Sequence, residues 1–277
     1  MPTLFRFMRV PGHLPGSARV GAVILVTIIL LVVLAPLIAT QDPMAITKAT
    51  LVPPGAGGVF GTDDLGRDVF ARVLYGGRVS LLVGLFAALI AVGMGLVIGV
   101  VGGFSGGMID EALMRFTEVF QIVPRLLVAI VVVSMVGGSI GNVIFVIGIL
   151  SWPPTARLVR AQTLVLRNED FMSAAIMSGA SYVRLIRKQI LGNILPILLV
   201  SGAMQVAVAV LAEASLSFLG LGDPSYPSWG QMLYHSQGFL RQAWWMSLFP
   251  GCALALAIVG LNLVSDGFSD RLPGVGS

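Results

Sequence analysis

The chain contains 277 residues, of which 56% are hydrophobic and only 11% are charged. So few charged side chains cannot cover the surface of a water-soluble globule of this length. The composition therefore predicts an all-α, polytopic membrane protein surrounded by membrane lipid, with no nucleic-acid partner. The net charge of +4 comes from 17 Lys and Arg against 13 Asp and Glu, and in a membrane chain the placement of these charges decides orientation.

The first apolar run covers residues 20–39, close to the roughly 20 residues that a helix needs to cross a bilayer. Arg6, Arg9 and Arg19 precede it. A signal peptide is the alternative, but the run is longer than a usual signal core of roughly 7 to 15 residues, and no small-residue cleavage site follows. We therefore predict a cytoplasmic tail over residues 1–19 and a retained anchor helix over residues 20–39.

Five further apolar segments predict a total of six transmembrane helices. They cover residues 80–101, 122–136, 142–154, 194–215 and 245–264. An even number of spans places both termini on the same side of the membrane. The segment 154–193 carries six basic residues and only two acidic ones, which by the positive-inside rule makes it cytoplasmic. We expect an inner-membrane protein with cytoplasmic termini, an extracytoplasmic loop over residues 40–79, a five-helix core over residues 80–268 and a cytoplasmic tail over residues 269–277.

The extracytoplasmic loop is predicted to contain an interfacial helix. Asp63 or Asp64 is placed to cap a helix with an apolar stripe, and Gly76 and Gly77 are placed to let the chain turn into the membrane. This segment is expected to serve folding or subunit contact rather than ligand binding. Farther along the chain, Trp229 is expected to anchor an outer loop at the interface.

Three glycines of the second span, Gly95, Gly99 and Gly103, recur every four residues. This spacing places a groove on one helix face, where a second backbone can approach closely. The partner helix belongs either to the same bundle or to another subunit.

Motifs for chemistry are absent from the sequence. It has no phosphate-binding loop, no G-x-S-x-G turn and no H-E-x-x-H helix, so we predict that the chain is not an enzyme and has no catalytic residue. Its one cysteine and two widely separated histidines predict neither a metal site nor a cofactor. The spans are nearly free of ionisable residues; Glu213 and Asp266 lie near span ends, where an interfacial or packing role is favoured over translocation. A spanning chain without its own energy source suggests a partner that hydrolyses a nucleotide.

Residues 171–196, FMSAAIMSGASYVRLIRKQILGNILP, predict two short amphipathic helices between the fourth and fifth spans. Helical spacing puts small side chains beside one aromatic on a face of the first helix: Phe171, Ala174, Ala175 and Ser178. Asn168 or Asp170 is placed to cap this helix, and Gly179 to end it in a left-handed conformation. Ser181 is placed to cap the second helix, and Pro196 to begin the fifth span. The second helix is expected to have an apolar face of Tyr182, Leu185, Ile186, Gln189 and Ile190 and an opposite basic face of Arg184, Arg187 and Lys188. An interfacial helix pair on anionic lipid is the alternative, although small side chains favour a protein contact.

This segment resembles the EAA loop of binding-protein-dependent ABC importer permeases, whose pattern is Glu-Ala-Ala, three residues, Gly, and later a hydrophobic residue with Pro. The matching residues are Ala174, Ala175, Gly179, Leu195 and Pro196. Ser173 stands where those loops carry an acidic residue. The resemblance implies that the loop, residues 160–196, forms coupling helices that fit into a groove of an ATPase subunit.

Three more segments, residues 61–84, 213–233 and 249–272, resemble the dipeptide, oligopeptide and nickel class of these permeases. The signature residues of the outer segment are Gly61, Thr62, Asp63, Gly66, Arg67 and Asp68. The resemblance implies a type I ABC importer permease fold, a heterodimer with a second permease subunit, two ATPase subunits that bind ATP and Mg, and an extracytoplasmic binding protein. It implies a di- or oligopeptide cargo, with a nickel, metal-chelate or opine importer as the alternative. A stand-alone channel or ion-coupled transporter is the alternative from another class.

Overall fold

The computed structural model describes residues 15–269, which fold into a bundle of α-helices. The helices are α1 Gly16–Val33, α2 Ala35–Ile38, α3 Val69–Ser105, α4 Gly107–Ile122, α5 Arg125–Val136, α6 Ile140–Ser151, α7 Pro153–Arg167, α8 Asp170–Met177, α9 Tyr182–Arg184, α10 Leu191–Phe218, α11 Trp229–Ser236 and α12 Trp245–Ser269. A π-helical segment, Leu185–Ile190, joins α9 to α10 without a break. Residues 1–14 and 270–277, with most of both predicted cytoplasmic tails, lie outside the described residues.

Four helices have the length and apolar character needed to cross a membrane: α1, α3, the continuous helix Tyr182–Phe218 and α12. Two bent pairs, α4 with α5 and α6 with α7, bring the number within residues 15–269 to six if each pair is one span. The pairs bend by 80° and 41°. Pro124 precedes α5 and Pro153 begins α7, where the missing N–H and the ring restrict helix continuation. The predicted all-α polytopic class is confirmed.

The glycine groove of α3 lies against α7 of the same chain. A Cβ atom at Gly95 would lie 2.6 Å from the Cβ atom of Thr155, and one at Gly99 would lie 2.5 Å from the carbonyl oxygen of Ala156. At Gly103 it would lie 2.7 Å from the Cβ atom of Thr163. The three glycines therefore let two backbones approach within one bundle.

The start of α3 differs from the prediction. This helix runs from Val69 through Gly76 and Gly77 into the membrane-spanning part, so the predicted separate interfacial helix was wrong. Asp68, not Asp63 or Asp64, caps it by accepting hydrogen bonds from the N–H groups of its first turn. A Cβ atom at Gly77 would collide with the Trp229 ring, so this glycine makes room for a neighbour instead of turning the chain.

Two side chains expected near the membrane interface are buried. Glu213 is 2% exposed and accepts hydrogen bonds from the hydroxyls of Ser80 at 2.8 Å and Ser217 at 2.7 Å. Trp229 is 1% exposed, and its indole N–H donates to the carbonyl of Val73 at 2.9 Å. A buried polar group requires such partners. Both side chains therefore join α3 to neighbouring helices. For Glu213 this is the packing role that the sequence offered, whereas the interpretation of Trp229 as an interfacial anchor was wrong.

Candidate coupling surface

The segment after α7 forms a short helix, α8, at one end of the bundle. Glu169 is its N-cap position but makes no side-chain cap hydrogen bond. Asn168 ends α7 instead of capping α8, and Asp170 lies inside the first turn of α8. Neither predicted cap is therefore present, although a carboxylate in the first turn interacts favourably with the helix dipole.

Met172 holds α8 against the bundle. Its side chain is fully buried in a cluster with Val100 of α3 and Val159 of α7, and Ala175 packs against the same cluster. The predicted small face of α8 is therefore divided, because Ala175 faces the bundle while Ala174 is exposed. The role of Met172 was missed. The one available signal was its spacing of three residues from Ala175, which puts both on one helix face.

Gly179 ends α8 in a left-handed conformation, with a φ of 76°. Its N–H donates to the carbonyl of Ile176 at 2.9 Å, and the N–H of Ala180 donates to the carbonyl of Ala175 at 3.1 Å. These two bonds form a Schellman motif, which satisfies carbonyls at the helix end. The predicted turn at Gly179 is present.

The second predicted helix is the first part of a longer one. From Tyr182 the chain continues through the π-helical segment into α10, so Pro196 lies inside α10 and the prediction that it begins a span was wrong. Ser181 is the N-cap residue but makes no side-chain cap bond. The two faces divide largely as predicted, since Leu185 and Ile190 are buried while the basic residues are exposed. Those basic residues are Arg184, Arg187 and Lys188. Tyr182, expected on the apolar face, is exposed as well.

The exposed residues of this turn form what we call the coupling surface. Its members are Phe171, Ser173, Ala174, Ile176, Met177, Ser178, Gly179, Tyr182 and Val183, all exposed in the structure. Met177 is 83% exposed and Tyr182 is 74% exposed. Clustered large apolar side chains of this kind mark interaction sites. Of the matched residues, Leu195 and Pro196 lie on α10, outside the coupling surface.

An ion pair links α4 to α7 at the same end of the bundle. Arg160 donates two hydrogen bonds to the carboxylate of Asp110, at 2.5 and 2.7 Å. Bidentate geometry of this kind orients both groups. α7, which leads directly into α8, is therefore tied to both α3 and α4. The six basic residues assigned to a loop over residues 154–193 lie partly on this helix, since α7 extends to Arg167.

The outer signature segment lies at the opposite end, at the start of α3. Asp63 is buried and accepts hydrogen bonds from the backbone N–H and the Nε of Arg67, at 2.8 and 2.7 Å. The hydroxyl of Thr62 donates to the carbonyl of Ala49 at 2.6 Å. Gly61 and Gly66 have positive φ values of 78° and 75°, which favour glycine. These bonds hold the segment together directly before α3 begins.

His235 of α11 lies beside this segment. Its pKa is lowered by burial and by the positive charges of Arg67 and Arg72. Among residues 15–269, no group of three His, Cys, Asp or Glu side chains has an arrangement that holds a metal ion. The hydrogen bonds of Thr62 and Asp63 described above are contacts within the fold.

The comparisons with known proteins agree with this architecture. The family described as "Binding-protein-dependent transport system inner membrane component" matches residues 95–273. The chain belongs to this family, and it is a transport permease.

Particular relatives are named as dipeptide permeases. The chain is 39% identical over 258 residues to the dipeptide transport system permease protein DppC of Alkalihalophilus pseudofirmus, covering 92% of this chain and 84% of that protein. It is 38% identical over 259 residues to DppC of Bacillus subtilis, covering 92% and 81%. It is 35% identical over 264 residues to DppC of Haemophilus influenzae, covering 92% and 90%.

Proposed function

We propose that this chain is the permease subunit of an ABC importer for di- or oligopeptides. The names of its relatives support the cargo class, since the three compared above are called dipeptide transport permeases. In this proposal the chain pairs with a second permease subunit, and an extracytoplasmic binding protein delivers the cargo. It lies in the inner membrane with both termini in the cytoplasm. It does not hydrolyse ATP itself; two partner ATPase subunits bind ATP and Mg.

The coupling surface is the part of the chain that contacts an ATPase subunit. A short helix with exposed apolar side chains is suited to insertion into a groove, a common mode of recognition between proteins. Met172 fixes α8 to α3 and α7 through the buried cluster. A force on α8 is therefore passed to helices that span the membrane, which is the physical requirement for coupling. This single observation, an exposed helix with a buried attachment, carries the proposal.

The mechanism that follows is alternating access. ATP binding closes the ATPase pair, the two coupling surfaces of the permease heterodimer move together, and the spans open outward to receive cargo. Hydrolysis and separation of the ATPase subunits return the spans to the inward-open arrangement. Ser173 is exposed at the position where the family loops carry an acidic residue. Its hydroxyl is therefore the polar group that this position presents to the ATPase subunit.

The test is to change Ala174 to Arg in the complete transporter. Ala174 is exposed, so a large charged side chain there leaves the buried cluster intact while it obstructs a groove. Ala175 is unsuitable for this purpose, because it packs against that cluster. We expect Ala174→Arg to abolish peptide uptake and binding-protein-stimulated ATP hydrolysis, and to weaken co-purification of the ATPase subunits.

The matched control is Ala56→Arg, a change of the same size at an exposed position in the loop at the opposite end of the bundle. It should leave co-purification of the ATPase subunits unchanged. Uptake and stimulated hydrolysis at the unmodified level in Ala174→Arg would contradict the assignment of the coupling surface.

A further inference from the structure

Helix α4 has three faces of different chemistry. Its buried face, centred on Asp110 and Thr117, packs on the bundle. One exposed face is apolar and carries Phe116 and Val119. The other exposed face is polar apart from Ile122 in the last turn, which is 78% exposed. We call it the polar stripe, and its members are Glu111, Arg115, Glu118 and Gln121, all exposed. Their intervals of four, three and three residues keep them on one side of an α-helix.

The polar stripe extends from the α8 end of the bundle into the depth of the membrane. Near its start, Asp110 lies beside Gly102 of α3 and pairs with Arg160 of α7. Farther along, the rings of Phe116 and Phe120 pack on Trp152, with centroids 5.9 and 5.4 Å away.

The position of Trp152 indicates how far α4 reaches into the membrane, because the rings of α4 pack on it. It lies three residues before Thr155, which contacts Gly95 in the apolar part of α3. Glu118, between Phe116 and Phe120 in sequence, is therefore at the level of the apolar core of the spanning helices, although its side chain is exposed.

Lipid does not suit the polar stripe. Ionisable side chains at membrane depth are costly against hydrocarbon, and they face water-filled cavities or the bundle interior. Glu111 and Arg115 form an exposed pair at 3.3 Å, whereas Glu118 has no salt-bridge partner within residues 15–269. The neighbouring apolar face is the one suited to lipid or to a second subunit, since the cores of protein interfaces are depleted of charge. The two exposed faces are therefore stable in different surroundings: the polar face in water, and the apolar face against lipid or a second subunit.

We propose that the polar stripe lines the aqueous pathway of the importer and contacts the charged ends of a zwitterionic peptide. This inference rests on the proposed function. A free peptide carries an ammonium group and a carboxylate; the Glu118 carboxylate is complementary to the first, and the Arg115 guanidinium to the second. The exposed ion pair between Glu111 and Arg115 is weak. Arg115 therefore releases Glu111 readily and binds a cargo carboxylate in its place. Beyond the 80° bend, exposed Arg125 in the first turn of α5 adds a further charge at this depth.

The experiment measures water access on the two exposed faces at matched depth. In the assembled transporter, with Cys252 changed to Ser, single cysteines are introduced as Glu118→Cys or Val119→Cys, and as Glu111→Cys or Ala112→Cys. Each pair contains adjacent exposed residues, one on the polar stripe and one on the apolar face. The transporters are placed in lipid nanodiscs and treated with a charged, membrane-impermeant methanethiosulfonate reagent.

We expect the cysteines of the polar stripe to react at least about tenfold faster than their apolar neighbours, because the reactive thiolate forms in water and is suppressed in apolar surroundings. Dialanine, supplied with the binding protein and ATP, should cause loss of labelling at a further single cysteine, Gln121→Cys, which lies on the polar stripe and leaves Glu118 and Arg115 in place. Slow labelling on the polar stripe, equal rates on both faces, or fast labelling without protection by dialanine would each overturn the proposal.

Uptake of radiolabelled dialanine by the Cys252→Ser transporter separates this inference from the proposed function. If the parent imports dialanine but the polar stripe is not labelled, only the pathway assignment fails. If the parent hydrolyses ATP in response to its binding protein but imports no dialanine, the peptide assignment fails whatever the labelling pattern.

Discussion

A methyl group added at Gly99 tests the contact between α3 and α7. In Gly99→Ala the new Cβ atom would lie 2.5 Å from the carbonyl oxygen of Ala156 and 2.7 Å from the Cβ atom of Val159. Neither neighbouring atom can rotate away, because one belongs to the backbone and the other is directly attached to it. The helices must therefore separate, and overpacking of this kind costs about 1–3 kcal/mol.

Gly93→Ala on the same helix is the matched control. Apart from the backbone of its own helix turns, no atom lies within 4 Å of a Cβ at Gly93, so the only effect there is the helix preference of Ala over Gly, about 0.5–1 kcal/mol in favour of folding. The same preference applies at Gly99. It cancels when the two variants are compared, and the difference of about 1–3 kcal/mol isolates the contact with α7.

The assay is thermal unfolding of the purified chain in detergent, with all variants heated at one fixed rate because such transitions depend on scan rate. At about 2–4 °C per kcal/mol, Gly99→Ala should unfold roughly 2–12 °C below Gly93→Ala. Equal unfolding temperatures would refute the reasoning, since they would mean that α7 does not restrict the space at Gly99.

Two further predictions concern the turn after α8 and the outer segment. Gly179→Ala should lower stability by about 1–2 kcal/mol through backbone strain alone, since nothing lies within 4 Å of its Cβ. Gly179→Asn should lower stability less, because Asn adopts the left-handed conformation more easily. An Ala variant as stable as the parent would contradict this reasoning. The lowered pKa of His235 means that the unfolded chain binds more protons below about pH 6.5, so stability should fall as the pH falls through that value toward the folded pKa. His235→Gln should weaken this dependence in unfolding curves recorded from pH 5 to 8, and an identical pH profile would exclude His235 as its source.

Local patterns predicted the four long spanning helices and the turn at Gly179. The spans predicted over residues 122–136 and 142–154 cover α5 and α6 but leave out α4 and most of α7, with which these helices form the bent pairs. Membrane crossing depends on about 20 consecutive apolar residues, a property of the segment itself. A left-handed turn at Gly179 depends on a glycine after a helical pattern and needs no distant partner. Helix ends were predicted less well. Asp63, Asp64 and Asp68 all have the chemistry of a cap, and only the folded loop decides that Asp68 caps α3 while Asp63 binds Arg67.

The candidate site was predicted in part. The glycine, the exposed Ala174 and the basic face of the following helix were recognised from spacing. The inward side of α8 was not, because periodicity gives the faces of a helix but not which face meets the bundle. Met172 is one apolar residue among several in its segment, and its importance comes from Val100 and Val159, which lie 72 and 13 residues earlier in the chain.

The amino-acid sequence alone determined that this protein is an all-helical membrane protein, because hydrophobic length is a local property, and its motifs predicted a permease through their resemblance to a known family. The tertiary structure decided which neighbour each groove and each charge meets. The spacing of Gly95, Gly99 and Gly103 is compatible with any close helix, and Glu213 is compatible with water or with buried hydroxyls. Folding selected α7 for the glycines, and Ser80 and Ser217 for the carboxylate. Long-range packing makes these choices, since a contact between helices depends on both surfaces at once.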